Sequence, residues 1–228
     1  MSRSAGVIAR ALLGLVFLVV VIGAAIFASA GTLALWRAWA YLAVFGGASL
    51  AITAYLIRYD RGLLERRVQA GPAAETSRTQ RVLQSLASLA FLGTFVVAGL
   101  DARRGWSTVP AAASVAADAA VAVGFAIVFL VFRANTFTSA TIEVAREQTV
   151  ITTGPYRHVR HPMYAGAIVL LVATPIALGS WPALACAVAL IGVVVARLRD
   201  EERFLAANLA GYAEYQERVR YRLVPGVW

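Results

Sequence analysis

The 228-residue chain has no lysine, one cysteine, two histidines and two methionines, and only 14% of its residues are charged. The lone Cys186 excludes an intrachain disulfide framework and any cysteine-based metal or redox pair. Set in an apolar run, it reads as a buried, inert thiol. There is no Walker loop, no dinucleotide-binding glycine fingerprint and no nucleophile–His–Asp set, and no internal repeat, low-complexity tract or separate soluble domain. A metal on His158 and His161 is disfavoured, because two histidines without a thiol or a neighbouring carboxylate do not fill a zinc sphere. Three residues apart in an extended turn, they do not reach opposite faces of one haem either.

Scarce charge goes with long apolar runs: mean hydropathy is +0.72 and 60% of residues are hydrophobic. Ala11–Trp36, Ala38–Ile57 and Val82–Leu100 carry no charge. Runs of about 18 or more such residues read as transmembrane helices, and soluble core helices rarely go so long without a charged face. A fourth helix is expected from about Ala113 to Phe132. Met163–Ala196 is uncharged too. As one helix it would be roughly 50 Å long, too long for a single crossing of a ~30 Å core. "GSWP" at Gly179–Pro182 supplies a turn, and the second arm continues past Ala196 into "RLRDEERFLAANLAGYAEYQERV", proline-free and rich in helix formers. The expected fold is therefore an all-α integral membrane protein with about six transmembrane helices, the last two forming a helical hairpin. The N-terminus imitates a signal peptide, with Arg3, Arg10 and "ASA" at Ala28–Ala30. Its apolar stretch exceeds the usual ~7–15 residues, so a retained first helix is expected.

All 21 basic residues are arginine, and the formal net charge is +9. With the N-terminus inside, every arginine except Arg37, Arg103 and Arg104 falls on or next to the inner side. That bias sets orientation by the positive-inside rule and needs no nucleic acid to explain it. Trp36 and Trp39 look like interfacial anchors at the first outer turn. The inner connection Arg58–Arg81 begins with a stretch suited to lie on the membrane, Leu63, Leu64 and Val68 down and Arg66 and Arg67 up, until Gly71-Pro72 breaks it. Asp118, near the outer end of the fourth helix, is a functional candidate as an intramembrane carboxylate; the plainer reading lets it reach headgroup water.

Two polar clusters flank the last apolar run. "GPYRHVRHPMY" (Gly154–Tyr164) holds both histidines. Gly154-Pro155 forces a turn and Pro162 biases His161 towards an extended backbone. Extended chain near hydrocarbon is tolerated where it is buried in protein or faces a polar cavity. Its N–H groups, with Arg157, Arg160 and His161, suit an anionic ligand group. On the last helix Arg197, Glu201, Leu205 and Asn208 share a face at spacings of three or four. A solvated face of Asp200–Arg203 with a snorkelling Arg197 is the plain alternative. The hairpin brings both clusters to one membrane face, where they can close over a single site.

These residues resemble a known family. "TTGPYRHVRHPMYAG" (Thr152–Gly166), then "RLRDEERFL" and "GYAEYQERVRYRLVPGVW" after the hydrophobic run, are similar to the isoprenylcysteine carboxyl methyltransferases and to the related phospholipid and bacterial thiol methyltransferases. The likeness covers roughly the C-terminal 90 residues. It implies an integral-membrane methyltransferase using S-adenosylmethionine, with a cytoplasmic-face cofactor pocket in the C-terminal half (111–228) and more variable spans before it (1–110). Carried over by motif, the expected cofactor contacts are Gln148, Thr149, Val150, Ile151, Tyr156, His161, Pro162, Met163, Tyr164 and Glu201. A further polar contact is expected near Thr141–Glu143. Arg197 falls where the family places a substrate-orienting arginine and is the expected catalytic residue. Gln148 stands where other members often carry histidine.

The chemistry fits. A basic segment plus one acid can bind both ends of the cofactor's methionine part. Methyl transfer to an ionised carboxylate needs no general base, so alignment in water-poor surroundings supplies most of the rate. Carboxyl O-methylation of a lipid-linked or hydrophobic acceptor therefore leads. S-methylation of a small thiol and N-methylation of a phospholipid stand as alternatives, and a non-enzymatic transporter or scaffold is the competing class. The expected partners are the bilayer and an apolar acceptor, and no metal is required.

Overall fold

The computed structural model describes residues 3–68, 77–138 and 148–228. Among them are eight α-helices, α1 Arg3–Ala30, α2 Trp36–Tyr59, α3 Arg61–Val68, α4 Arg78–Arg104, α5 Ala111–Ala134, α6 Pro162–Ala177, α7 Leu184–Asn208 and α8 Tyr212–Arg218, and a 3-10 turn at Gly154–Arg157. There is no strand among the described residues. Gly71-Pro72 and Thr141–Glu143 lie outside them.

α1, α2, α4 and α5 are long and apolar enough to cross a membrane, and the chain is an integral membrane protein. Each reaches beyond its charge-free run, because arginines at the ends, such as Arg58, Arg104 and Arg133, extend a helix into headgroup water. α6 is apolar but has only 16 residues, about 24 Å at 1.5 Å each. α7 is apolar up to Ala196 and charged beyond it. An expectation of six spans thus adds α6 and α7 to the four helices that qualify on length and composition.

The helices close into a ring in the order α1, α2, α5, α6, α7, α4 and back to α1. The main core is Ile22 and Ile26 of α1, Tyr41 of α2, Phe95 of α4, Val121 of α5 and the end of α6 at Ala173–Leu178. Backbones approach through small residues. A Cβ on Gly124 would stand 2.8 Å from Leu170, one on Gly166 3.1 Å from the Gly124 carbonyl, and one on Gly99 2.4 Å from the Ile26 carbonyl.

At one end, Asp101 is 2% exposed and gathers the connections. It accepts hydrogen bonds from Ser107 N and Oγ and from Ser180 Oγ at 2.6–2.8 Å. Arg37 donates to the Val109 carbonyl at 2.5 Å. Trp36, Trp39, Trp106 and Trp181 are exposed around this same end, the position of an aromatic belt.

α3 departs from the expected surface helix. Asp60 Oδ1 caps it by accepting from Leu63 N at 2.9 Å. Leu63 and Leu64 are buried against Val7, Leu56 and Phe132, so its apolar side packs on α1, α2 and α5 rather than on lipid. Asp118 also departs from expectation. It is only 7% exposed, inside the bundle, and its Oδ1 has no hydrogen-bond partner among the described residues.

Candidate functional site

At the end opposite Asp101, a cavity of about 520 Å³ opens among α4, α5, α6, α7 and the chain on either side of the 3-10 turn. Its size is in the ordinary range for cofactor-sized ligands. Gln148, Thr149, Val150, Ile151, Tyr156, His161, Met163, Tyr164, Arg197 and Glu201 all border it. Of the described residues carried over by motif, Pro162 does not. It is buried at the first position of α6, where a missing N–H costs nothing and the fixed φ starts the helix.

The α7 face is present as far as Leu205, which borders the cavity. Asn208 is exposed and donates back to the Phe204 carbonyl. Glu201 accepts a 2.5 Å hydrogen bond from the Tyr164 hydroxyl, which ties α7 to the first turn of α6. Arg197 donates to Gln80 Oε1 at 3.0 Å, and Gln80 Nε2 donates to Asp200. Gln80 is 2% exposed on α4, so α4 orients the arginine. The plain alternative of a fully solvated Asp200–Arg203 face therefore does not hold for Asp200 and Glu202.

Glu202 was not singled out from the sequence, yet it organises this end of the bundle. It accepts from Arg160 Nε at 2.7 Å and Arg222 Nε at 2.8 Å, and its Oε1 lies 3.2 Å from His161 Nε2. Burial alone would raise this carboxyl. Hydrogen bonds from His161 and Arg222 and the charges of His161 and Arg160 instead bring it down to about 2. Arg160 Nη1 also donates to the carbonyls of Gln216, Val219 and Arg220. The backbone N–H groups of Arg160 and His161 go to the carbonyls of Tyr221 and Arg222, both at 2.9 Å. The segment expected to offer N–H groups and Arg160 to an anion spends them on the C-terminal tail. Arg157 and His158 point to solvent. A carboxylate does neighbour His161, but two guanidinium groups share it, and the described residues hold no three-member His/Cys/Asp/Glu cluster.

α8 buttresses the turn. Tyr215 donates from its hydroxyl to the Tyr156 carbonyl at 2.7 Å, and Asn135 at the end of α5 donates to Tyr156 Oη at 3.1 Å. Burial pushes the Tyr156 phenol up to about 12, and Tyr212 and Tyr215 are raised for the same first reason. None of these phenols ionises near neutrality, so they serve as neutral hydrogen-bonding and apolar walls.

Arg67 was also missed as a site residue. It reaches the cavity from α3, its guanidinium 5.3 Å from the Phe132 ring centre and Nη1 4.0 Å from Met163 Sδ. Burial lowers its pKa, Tyr164 opposes that, and Arg197 adds to it. A helix read as lying on lipid gave no sign that one of its upward arginines would turn inward.

The lining suits a ligand with both signs of charge and an apolar part: the Glu201 carboxylate, the guanidinium groups of Arg67, Arg160 and Arg197 and several hydroxyls stand beside Val150, Ile151, Leu205 and Leu209. No protein of curated function matches the chain. Residues 112–210, from α5 to just past α7 and including much of this cavity's lining, match the family model of the phospholipid methyltransferases.

Proposed function

We propose that this chain is an integral-membrane, S-adenosylmethionine-dependent methyltransferase whose reaction takes place in the cavity between α4, α5, α6 and α7. The observation that carries the reading is convergence. Gln148–Tyr164 and the Arg197–Glu201 face, far apart in sequence, border one membrane-edge cavity within the stretch similar to phospholipid methyltransferases.

When bound, S-adenosylmethionine supplies an electrophilic methyl group on a sulfonium. Glu201, held by Tyr164, pairs with the cofactor's ammonium. Gln148–Ile151 supply backbone polar groups, and Val150, Ile151, Tyr156 and Met163 shield apolar surface. The phenols exclude water. Arg197, fixed by Gln80, orients the acceptor's attacking oxygen; the role is alignment, since an ionised carboxylate has no proton to lose. We assign the cofactor region to 111–228 and a more variable acceptor-facing part to 1–110. The cavity lies on the cytoplasmic side, with both termini, by the arginine distribution. α6 and α7 complete six crossings as a short hairpin. On this basis the reaction is carboxyl O-methylation of a hydrophobic acceptor, as in the isoprenylcysteine carboxyl methyltransferases that the motifs resemble.

N-methylation of a phospholipid amine is the second reading, favoured by the match to phospholipid methyltransferases. Calorimetric titration of purified protein with S-adenosylmethionine and S-adenosylhomocysteine tests the class. Saturable binding that Glu201→Gln weakens at least tenfold supports it. No binding to folded protein in detergent and in lipid nanodiscs overturns it. Radiolabelled methyl offered with carboxylate, thiol and amine acceptors then separates the chemistries.

A further inference from the structure

Outside the cavity, the outer surface of the α2–α5 seam carries a row of side chains that the proposed reaction does not use. Arg37 of α2 meets the Val109 carbonyl just before α5, so the two helices start together and run side by side. At their far ends, Arg58 and Arg133 are each the last residue but one, and both are exposed. They therefore stand at one depth, at the end of the bundle that holds the cavity. Rings fill the space between them. The Arg58 guanidinium lies 5.6 Å from the Tyr59 ring centre, and Tyr59 lies 4.9 Å from Tyr55. Tyr55 meets Phe129 edge-on at 4.8 Å, and Phe129 lies 6.0 Å from the Arg133 guanidinium. None of these five residues borders the cavity.

Neither guanidinium has a hydrogen bond or an ion pair among the described residues. Their neighbours are engaged elsewhere. Arg61 donates to the Ile57 carbonyl at 3.0 Å and Arg66 to the Thr136 carbonyl, while Asp60, the nearest acid in sequence to Arg58, turns to Leu63 N. The helix dipole alone favours a cation at each C-terminus, but it does not account for a continuous row of rings joining the two. A ring face holds a guanidinium by cation–π attraction and leaves its edge N–H groups able to donate to phosphate oxygens. Packed helices lie about 8–10 Å apart, within the combined reach of two arginine side chains, so both can turn to one phosphate. Further into the membrane the exposed faces of α2 and α5 are apolar, with Leu50, Val123 and Leu130, where acyl chains lie. A head whose only charge is its phosphate gains from both arginines; a phosphocholine head brings a cation of its own against them.

We propose that the α2–α5 seam holds an anionic phospholipid of the bilayer, its phosphate between Arg58 and Arg133. The lipid is distinct from a methyl acceptor, because the row lies outside the cavity lining, and the inference stands apart from the methyl-transfer reading. It clamps α2, which precedes the stretch that matches the family, to α5, which lies within it.

The test is native mass spectrometry of delipidated protein titrated with phosphatidylglycerol or phosphatidylcholine of matched acyl chains. The proteins are wild type, the double variant Arg58→Gln with Arg133→Gln, and Arg203→Gln, which removes an exposed arginine of α7 away from the seam. Wild type is expected to hold its first phosphatidylglycerol about tenfold more tightly than phosphatidylcholine. The double variant brings the two lipids within about threefold and leaves phosphatidylcholine unchanged, while Arg203→Gln keeps the full preference. An undiminished preference in the double variant overturns the proposal. An equal loss in Arg203→Gln also overturns it, since that marks diffuse attraction to an arginine-rich face. Displacement of the lipid by millimolar inorganic phosphate marks a free-anion site and overturns it too. If the double variant does not fold, Arg58→Gln and Arg133→Gln are measured singly, and a preference undiminished in both is the overturning result.

Discussion

At Glu202 one buried carboxylate answers three side chains: Arg160, His161 and Arg222. Removing it leaves two guanidinium groups with an uncompensated share of buried charge, so Glu202→Gln is expected to cost about 3–5 kcal/mol, seen as a lower thermal midpoint in detergent. The pH dependence has a definite sign. The folded carboxyl titrates near 2, below its ordinary 4.5. Its stabilisation is complete above about pH 4.5 and is lost as pH falls towards 2. Thermal midpoints measured down that range should drop in wild type and lose this contribution in Glu202→Gln. Glu201, its neighbour in sequence, points instead to Tyr164 and the cavity. Tyr164→Phe should weaken S-adenosylmethionine binding a few-fold, less than Glu201→Gln, because it removes hydrogen bonds and no charge; equal losses in calorimetry would contradict that ranking. The sequence reading placed Glu201 at the site and gave Glu202 no role there. Adjacent residues on a helix diverge by about 100°, and which of them faces the cavity depends on how α7 is rotated against α6 and the tail.

Among the elements, α1 and α4 come close at Gly99. A Cβ at Gly99 would lie 2.0 Å from Ser29 Oγ and 2.4 Å from the Ile26 carbonyl, and backbone cannot step aside as a flexible side chain can. Gly99→Ala should therefore destabilise by about 1–3 kcal/mol, whereas Gly47→Ala, with open space at its Cβ, should be neutral or better in the same thermal assay. Helix existence was legible from charge-free runs, since unpaired backbone groups are not tolerated in hydrocarbon. The role of α3 was not. Eight residues with a weak apolar side suit lipid or protein equally well, and only the neighbours Val7, Leu56 and Phe132 decide. The same gap hid Arg67.

For the whole molecule, the arginine bias predicts sidedness. In a Cys186→Ser background, a cysteine at exposed Thr108 should react with an impermeant maleimide from outside, and one at exposed Glu217 only after the inner face is opened. Reversed labelling would put the cavity on the other side. The sequence by itself determined the membrane class, the helices that qualify as spans and the residues to look for at the site, because hydrocarbon imposes uniform length and polarity and motif spacing survives folding. The tertiary structure decided the rest. It closed the helices into a ring, spent the N–H groups of Arg160 and His161 on the C-terminal tail, enclosed Asp118 within the bundle and turned Arg67 into the cavity. Each of these depends on contacts between segments far apart in sequence, whose geometry is set by side-chain packing and not by local composition.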